Sequence, residues 1–180
     1  MREAYVVLFR GVGGATQLPT KPLKETLTKA GYANVATYIN SGNAVLVSDR
    51  PETEIAVDIA EIVRREFGFE KDIMLVTSQA WSRLVTENPF PEAVDAPTTL
   101  HAFMLSDIPA PEAVEALVAR TTGRERVVVA GKVLYFHAPD GFGRSKLPPV
   151  VDRTLKVVST ARNWNTVVAL QSLAVAASEN

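Results

Sequence analysis

The sequence contains no cysteine. This absence excludes a disulfide framework, a thiolate nucleophile, and zinc or iron–sulfur sites that depend on thiolates. Only two histidines are present, and no His-Glu-x-x-His string or comparable metal-binding motif accompanies them. We therefore expect no metal and no cofactor. A chain without cysteine is typical of the cytoplasm, which is the localisation we expect.

Excess charge of either sign and long hydrophobic runs are also absent. The 19 basic and 20 acidic residues give a net charge of −1, which attracts neither nucleic acid nor an anionic membrane surface. The apolar run at residues 4–9 is too short for a membrane span or a signal-peptide core, so we expect no membrane partner. Nothing in the composition indicates an oligomeric state.

The first half alternates between strand and helix patterns. Apolar runs predict strands at residues 4–9, 35–39, 44–47 and 73–76, with a hairpin turn at Asn40-Ser41-Gly42-Asn43. A helix is predicted from Thr20 to Gly31, and a second from Pro51 to Gly68, each with apolar residues at helical spacing. The order is β-α-β-β-α-β, followed by a short helix from Ser78.

The second half repeats this order of elements. Residues 88–97 contain three prolines and no periodicity, which is typical of a connection. Strands are predicted at 100–105, 127–129, 133–136 and 157–160, with helices near Pro111 and at 152–156. A final helix carries Val167, Leu170 and Ala174, capped by Asn163 or Asn165.

These patterns predict an α+β protein with two ferredoxin-like (β-α-β-β-α-β) lobes and a C-terminal helix. The expected boundaries are 1–87 for the N-terminal lobe with its trailing helix, 88–97 for the connection, and 98–180 for the C-terminal α+β lobe. The repeat is one of element order and not of sequence identity.

Four segments carry strings more specific than these patterns. They are LFRGVGG at residues 8–14, YINSGN at 38–43, GRSKL at 143–147 and TARNWNTV at 160–167. In combination they resemble the signatures of a bacterial family, the domain-of-unknown-function family 1697. The resemblance spans nearly the whole chain and implies a pair of α+β subdomains without an established activity. Relatives usually carry two residues between the Arg-Gly and Gly-Gly pairs, where this chain has only Val12.

The same segments hold the candidate binding residues. Glycines after a strand and before a helix can cradle a phosphate, although the string is neither Gly-x-Gly-x-x-Gly nor a P-loop. Arg162 precedes a helix start, where the helix dipole disfavours a cation, so a partner carboxylate or an anionic ligand is expected beside it. The candidate ligand-binding residues are Arg10, Gly11, Asn40, Ser41, Gly42, Asn43, Lys146, Arg162, Asn163 and Asn165.

Each candidate also has a purely structural interpretation. Asn and Gly residues favour hairpin turns, a single asparagine is enough to cap a helix, and Trp164 is expected in the core. Ser145 and Lys146 lack the Ser-x-x-Lys spacing of a nucleophile and base, so a capping serine and a solvated lysine are the simpler interpretation. His101 and His137 are expected in hydrogen-bonded structural roles.

No catalytic signature is present, so the sequence does not say whether the protein is an enzyme. The first hypothesis is that the donor-rich segments converge at a cleft between the lobes and bind a small anionic, phosphate-bearing ligand. The alternative is a protein-interaction or oligomeric module without a ligand. A nucleic-acid-binding module is a further alternative, disfavoured because the strands lack interleaved basic and aromatic residues.

Overall fold

The first four-stranded sheet contains the strands of the N-terminal half. In the computed structural model, which describes residues 2–179, these are β1 (Glu3–Phe9), β2 (Ala33–Thr37), β3 (Asn43–Ser48) and β4 (Ile73–Thr77). Their order across the sheet is β2-β3-β1-β4 with every neighbouring pair antiparallel, which is the ferredoxin-like arrangement. The predicted strands and hairpin are confirmed here.

Three helices accompany this sheet: α1 (Thr20–Lys29), α2 (Glu52–Phe67) and α3 (Ser78–Thr86). In α2, Glu52 and Glu54 occupy the first turn and Arg64 and Arg65 the last, so the side-chain charges oppose the helix dipole at both ends. Gly68 then ends the helix with a φ of 77°, a left-handed conformation that glycine adopts without strain.

The apolar faces of α1 and α2 pack on one face of the first sheet. Their buried residues, including Leu23, Leu27, Ile55 and Ile59, join Phe9 and the other inward side chains of the strands in one cluster. The sequence positions at helical spacing and the alternating strand positions thus contribute to a single core.

The second sheet contains β5 (Leu100–Leu105), β6 (Arg126–Ala130), β7 (Val133–His137) and β8 (Ser159–Asn163). Its order is β6-β7-β5-β8, again antiparallel throughout, which confirms the second ferredoxin-like lobe. Helices α4 (Pro111–Val118) and α5 (Val151–Leu155) complete it, and α6 (Trp164–Glu179) is the C-terminal helix. Short 3-10 helices lie at Gly14–Thr16, Pro91–Ala93, Phe142–Arg144 and Pro148–Val150.

The chain divides into two units. The described residues up to Val85, with those from Val168 onward, form the first unit, and Thr86–Val167 form the second. The sequence-based boundaries assigned residues 168–180 to the C-terminal lobe, whereas the C-terminal part of α6 groups with the first unit. Hydrogen bonds from Gln171 to Ser82 and from Asn34 to the carbonyl of Ala177 fasten it there.

Central strands in both units are buried on both faces. Every residue of β3 and of β5 is buried, and β1 is buried from Ala4 to Phe9. Because successive side chains in a strand point to opposite faces, burial of consecutive residues means that both faces of the strand are covered.

Candidate functional site

Two of the signature segments meet at the end of β1. The Phe9 amide donates a hydrogen bond to the Gly42 carbonyl at 3.0 Å, which places the loop after β1 against the turn between β2 and β3. Gly42 has a φ of 80°, and a Cβ added there would lie 2.8 Å from both Phe9 Cβ and Val12 Cγ2. The loop after β1, which contains Val12, therefore approaches the β2–β3 turn so closely that only glycine fits at position 42.

The turn residues themselves form local hydrogen bonds. Asn43 is fully buried, and its Nδ2 donates to the Tyr38 carbonyl at 3.1 Å and to Ser41 Oγ at 3.2 Å. Asn40 is exposed, and its Oδ1 accepts a hydrogen bond from the Thr20 amide at 3.3 Å, at the first residue of α1. These contacts are those of a turn that also caps a helix.

A cavity of about 700 Å³ lies beside the loop that follows β1. Gly11 lines it, with a φ of 64°. Its charged lining consists of three cations and three carboxylates: Arg10, Arg64, Lys71, Glu61, Glu70 and Asp72. The cavity is formed entirely within the first unit, by the end of β1, the last turns of α2 and the segment that leads into β4.

The charges of this cavity are paired over long distances. Arg10 lies 3.8 Å from Asp72, and Arg64 lies 3.9 Å from Glu61, with all four side chains more than 40% exposed. The Lys71 Nζ donates a hydrogen bond to the Gly11 carbonyl and so anchors the glycine loop. Exposed ion pairs at such distances are each worth about 0–1 kcal/mol, so these two pairs add little stability.

The second unit contains Arg162, another of the candidate cations. Arg162 lies in β8, and its guanidinium donates to Thr160 Oγ1 at 2.7 Å and to the Ala161 carbonyl at 2.8 Å. Burial lowers the pKa of Arg162 to about 10, so the side chain is still charged at neutral pH. Keeping a buried guanidinium charged requires hydrogen bonds of this kind.

Asparagine 163 is the residue that caps α6. Its Oδ1 accepts a hydrogen bond from the Thr166 amide at 3.1 Å, so the structure selects Asn163 over Asn165 as the cap. Trp164, the first residue of the helix, is buried, whereas Asn165 and Lys146 are exposed.

The comparisons with known proteins fit this architecture. A sequence model described as "Protein of unknown function (DUF1697)" matches residues 2–135, about three quarters of the chain. The chain belongs to this family. The resemblance to family 1697 is thereby confirmed, with the first two of the four strings inside the matched residues, and no curated protein matches the sequence.

A conserved bacterial protein from Streptococcus pneumoniae, SP0830, has the same fold as this family 1697 member. It superposes with a TM-score of 0.73 over 97% of this chain and 99% of its own, at 17% sequence identity. At that level of identity the similarity shows the fold alone.

Two cavity residues of this family 1697 member, Arg64 and Lys71, were missed by the sequence analysis. Lys71 lies just before β4, which neighbours β1, so the ferredoxin-like strand order alone brings it to the end of β1. Arg64 is in the last turn of α2, where a basic residue is already explained by the helix dipole. The sheet order was therefore the signal for Lys71, and Arg64 had none.

The histidines do not form a pair. His101 lies opposite Phe136 in the sheet and shares its face, whereas His137 lies opposite Leu100 on the other face. His101 stacks on Phe142 with ring centroids 3.7 Å apart, and His137 Nδ1 lies 2.9 Å from an Arg126 guanidinium nitrogen. Within residues 2–179, no cluster of three or more potential metal ligands is found, and no helix is suited to crossing a membrane.

Ser145 and Lys146 do not form a catalytic pair. Ser145 Oγ accepts a hydrogen bond from the Leu147 amide at 3.0 Å, and Lys146 is exposed. The serine therefore supports a turn after the 3-10 helix at Phe142–Arg144, whereas the sequence led us to expect a helix cap.

Replacing Asn163 with alanine is expected to destabilise the protein by about 1 kcal/mol, because the Thr166 amide loses its acceptor. Asn165→Ala, at an exposed position in the first turn of α6, is expected to change stability by less than about 0.5 kcal/mol. Urea unfolding of both variants measures the difference. Equal effects would contradict the assignment of Asn163 as the cap.

Proposed function

We propose that this protein binds a small anionic ligand, of the phosphate-ester class, in the cavity at the end of β1. The carrying observation is the convergence of Arg10, Arg64 and Lys71 on the loop at Gly11, beside about 700 Å³ of open volume. Guanidinium and ammonium groups donate strong, charge-assisted hydrogen bonds to phosphate oxygens, and arginine can do so in bidentate fashion.

Ligand binding in this cavity proceeds by exchange. The Arg10–Asp72 and Arg64–Glu61 pairs are long and exposed, so breaking either pair as its arginine turns to a phosphate costs about 0–1 kcal/mol. Lys71 keeps its hydrogen bond to the Gly11 carbonyl and adds positive charge from a fixed position. A dianionic phosphate offers each arginine more charge and more acceptor atoms than one carboxylate does.

The carboxylates also limit the affinity. Three acidic side chains balance the three cations of the lining, so the cavity as a whole attracts a distant anion only weakly. Binding then depends on short contacts, and added salt is expected to weaken it because the contacts are exposed.

In this proposal the string at residues 38–43 supports the loop after β1. Asn40, Ser41, Gly42 and Asn43 hold the turn against which the loop after β1 packs. A direct contribution of Lys146, Arg162, Asn163 and Asn165 to ligand binding stays a prediction. For Arg162, titration of the variant Arg162→Gln with the phosphate-bearing ligand tests it.

The nucleic-acid alternative gains no support from the sheets. An RNA-recognition sheet binds bases on an exposed face, whereas β1, β3 and β5 are buried on both faces. Arg10 and Lys71 lie at a strand end and not on a sheet surface.

The variant Arg10→Gln tests the proposal. A thermal-shift screen with phosphate-bearing metabolites is expected to raise the Tm of the wild-type protein and not that of the variant, because a ligand that binds only the folded state stabilises it. Arg65→Gln is the matched control, since Arg65 is also a cation at the end of α2 but pairs with Glu66 outside the cavity. Equal shifts for Arg10→Gln and wild type would contradict the proposal.

A further inference from the structure

Strand β6 is an open edge of the second sheet. Among the described strands it pairs only with β7, and the two-residue turn at Gly131-Lys132 closes the pair at Ala130 and Val133. Opposite residues in an antiparallel ladder alternate between hydrogen-bonded and non-hydrogen-bonded pairs, and the pair that flanks a two-residue turn is hydrogen-bonded. Val127 and Val129 are therefore at non-hydrogen-bonded positions, and their N–H and C=O groups face away from β7. No hydrogen bond outside the β6–β7 ladder reaches either valine within the described part of the chain.

The other edge strands differ from β6 in their register or in their exposure. In β2 the register shifts between Ala33 and Ala36, and Asn34 is tied to the Ala177 carbonyl. β4 has no exposed residue, and β8 begins with two buried residues. By contrast, β6 alternates between exposed and half-buried residues in an unbroken register. Proteins usually block such edges with bulges, proline or charge.

The side chains of β6 leave its centre uncharged and apolar. Val127, Val128 and Val129 stand in sequence, and Val128 is 37% exposed. The Arg126 guanidinium, at one end, is paired with Glu92 and stacks over Phe90. Helix α4 packs beside the strand and carries Val118, which is 43% exposed. The edge therefore offers backbone donors and acceptors together with adjoining apolar surface.

We propose that β6 pairs with β6 of a second copy of this chain, antiparallel and about a two-fold axis at Val128. In this register Val127 of each copy lies opposite Val129 of the other, so outward-facing backbone groups meet outward-facing groups on both strands. Val128 meets its own counterpart at the axis, and Arg126 lies opposite Ala130 and not opposite another cation. The β6-containing sheets of the two copies then form one eight-stranded sheet.

Self-pairing suits this strand for two reasons. One strand sequence satisfies both edges in a single symmetric register, as an isologous interface requires. The net charge of −1 also gives two copies almost no electrostatic repulsion as they approach. This surface lies outside the proposed anion cavity, so the inference does not depend on that function.

The test places a charged residue at the two-fold axis, at position 128. Light scattering then measures the molar mass in solution over a concentration series of the full chain. Wild type is expected to approach twice the 19.5 kDa mass of one chain as concentration rises. Val128→Lys and Val128→Glu place like charges opposite each other, and each alone is expected to raise the dimer dissociation constant about tenfold or more. Mixing the two variants is expected to restore the dimer, because unlike charges then meet.

Val158→Lys is the matched control, since Val158 is a similarly exposed valine of the same unit outside β6. It is expected to dimerise as wild type does, and circular dichroism confirms that each variant is folded. A wild-type chain that stays monomeric at millimolar concentration overturns the proposal and leaves the edge to an extended segment of another protein. Folded single variants whose mixture stays monomeric overturn it as well.

Discussion

Replacing Gly42 with alanine is expected to destabilise the protein by about 3 kcal/mol. The added Cβ would lie 2.8 Å from Phe9 Cβ and from Val12 Cγ2, and the backbone at position 42 has a φ of 80°. Left-handed strain and overpacking each cost about 1–3 kcal/mol. Phe9 Cβ is fixed by its strand, so the contact cannot be relieved by rotating a side chain. Urea unfolding monitored by circular dichroism measures the loss.

Gly68→Ala separates the two costs. Gly68 has nearly the same φ, 77°, but a Cβ there meets no atom within 4 Å. Its replacement is expected to cost about 1 kcal/mol, from backbone strain alone. The excess cost at Gly42 then measures how tightly the loop after β1 is packed against the β2–β3 turn. Equal losses for the two variants would show that the loop can move away.

Acid is expected to destabilise the second unit through His101. Burial lowers the pKa of His101 to about 4, and its Nδ1 has no hydrogen-bond partner among residues 2–179. The unfolded chain binds a proton at a pKa near 6.5, whereas the folded chain resists protonation. The neutral histidine therefore contributes stability that is complete above about pH 6.5 and is lost as pH falls towards 4. The expected loss from this group is about 3 kcal/mol.

The variant His101→Leu tests this source of acid sensitivity. Leucine cannot titrate, so its free energy of unfolding should fall less than that of wild type between pH 6.5 and pH 4. The difference in free energy of unfolding between the two proteins is expected to change by about 3 kcal/mol across this range. Taking the difference removes the effect of the carboxylates that titrate in both proteins. Parallel stability curves would contradict the burial of a neutral imidazole against Phe142.

Most of the fold followed from local patterns in the sequence. The helical spacing and terminal charges of α2 predicted its extent to within one residue, and Leu100–Leu105 was predicted with its observed bounds. These elements succeeded because propensity, periodicity and end signals agree in them. The repeated β-α-β-β-α-β order then restricted the topology to the ferredoxin-like arrangement.

Strand β8 shows where local patterns were insufficient. The sequence predicted a strand at 157–160, whereas the structure has Ser159–Asn163, in which every residue except Ala161 is polar. Arg162 and Asn163 extend the strand because they pair with Ala102 and His101 of β5, and local preference does not reveal such tertiary pairing.

The candidate site was predictable only in part. Arg10 and Gly11 line the cavity as residues of a recognisable string, and the turn at Asn40–Asn43 was expected from its composition. Lys71 and Arg64 carry no signal of their own, since each is one basic residue among many on the surface. The predicted sheet order brings Lys71 to the end of β1, whereas the position of Arg64 depends on how α2 packs on the sheet, which local patterns do not specify.

The most direct test of anion binding is an NMR titration of the nitrogen-15-labelled full chain with inorganic phosphate at low ionic strength. Saturable shifts are expected for the Gly11 amide and for the Arg10 and Arg64 guanidinium resonances, with smaller changes at Gly68 outside the cavity. The same titration of Arg10→Gln is expected to need at least about tenfold more phosphate, as for loss of a charge-assisted contact. Saturable shifts elsewhere, or none at all, would contradict the proposed site.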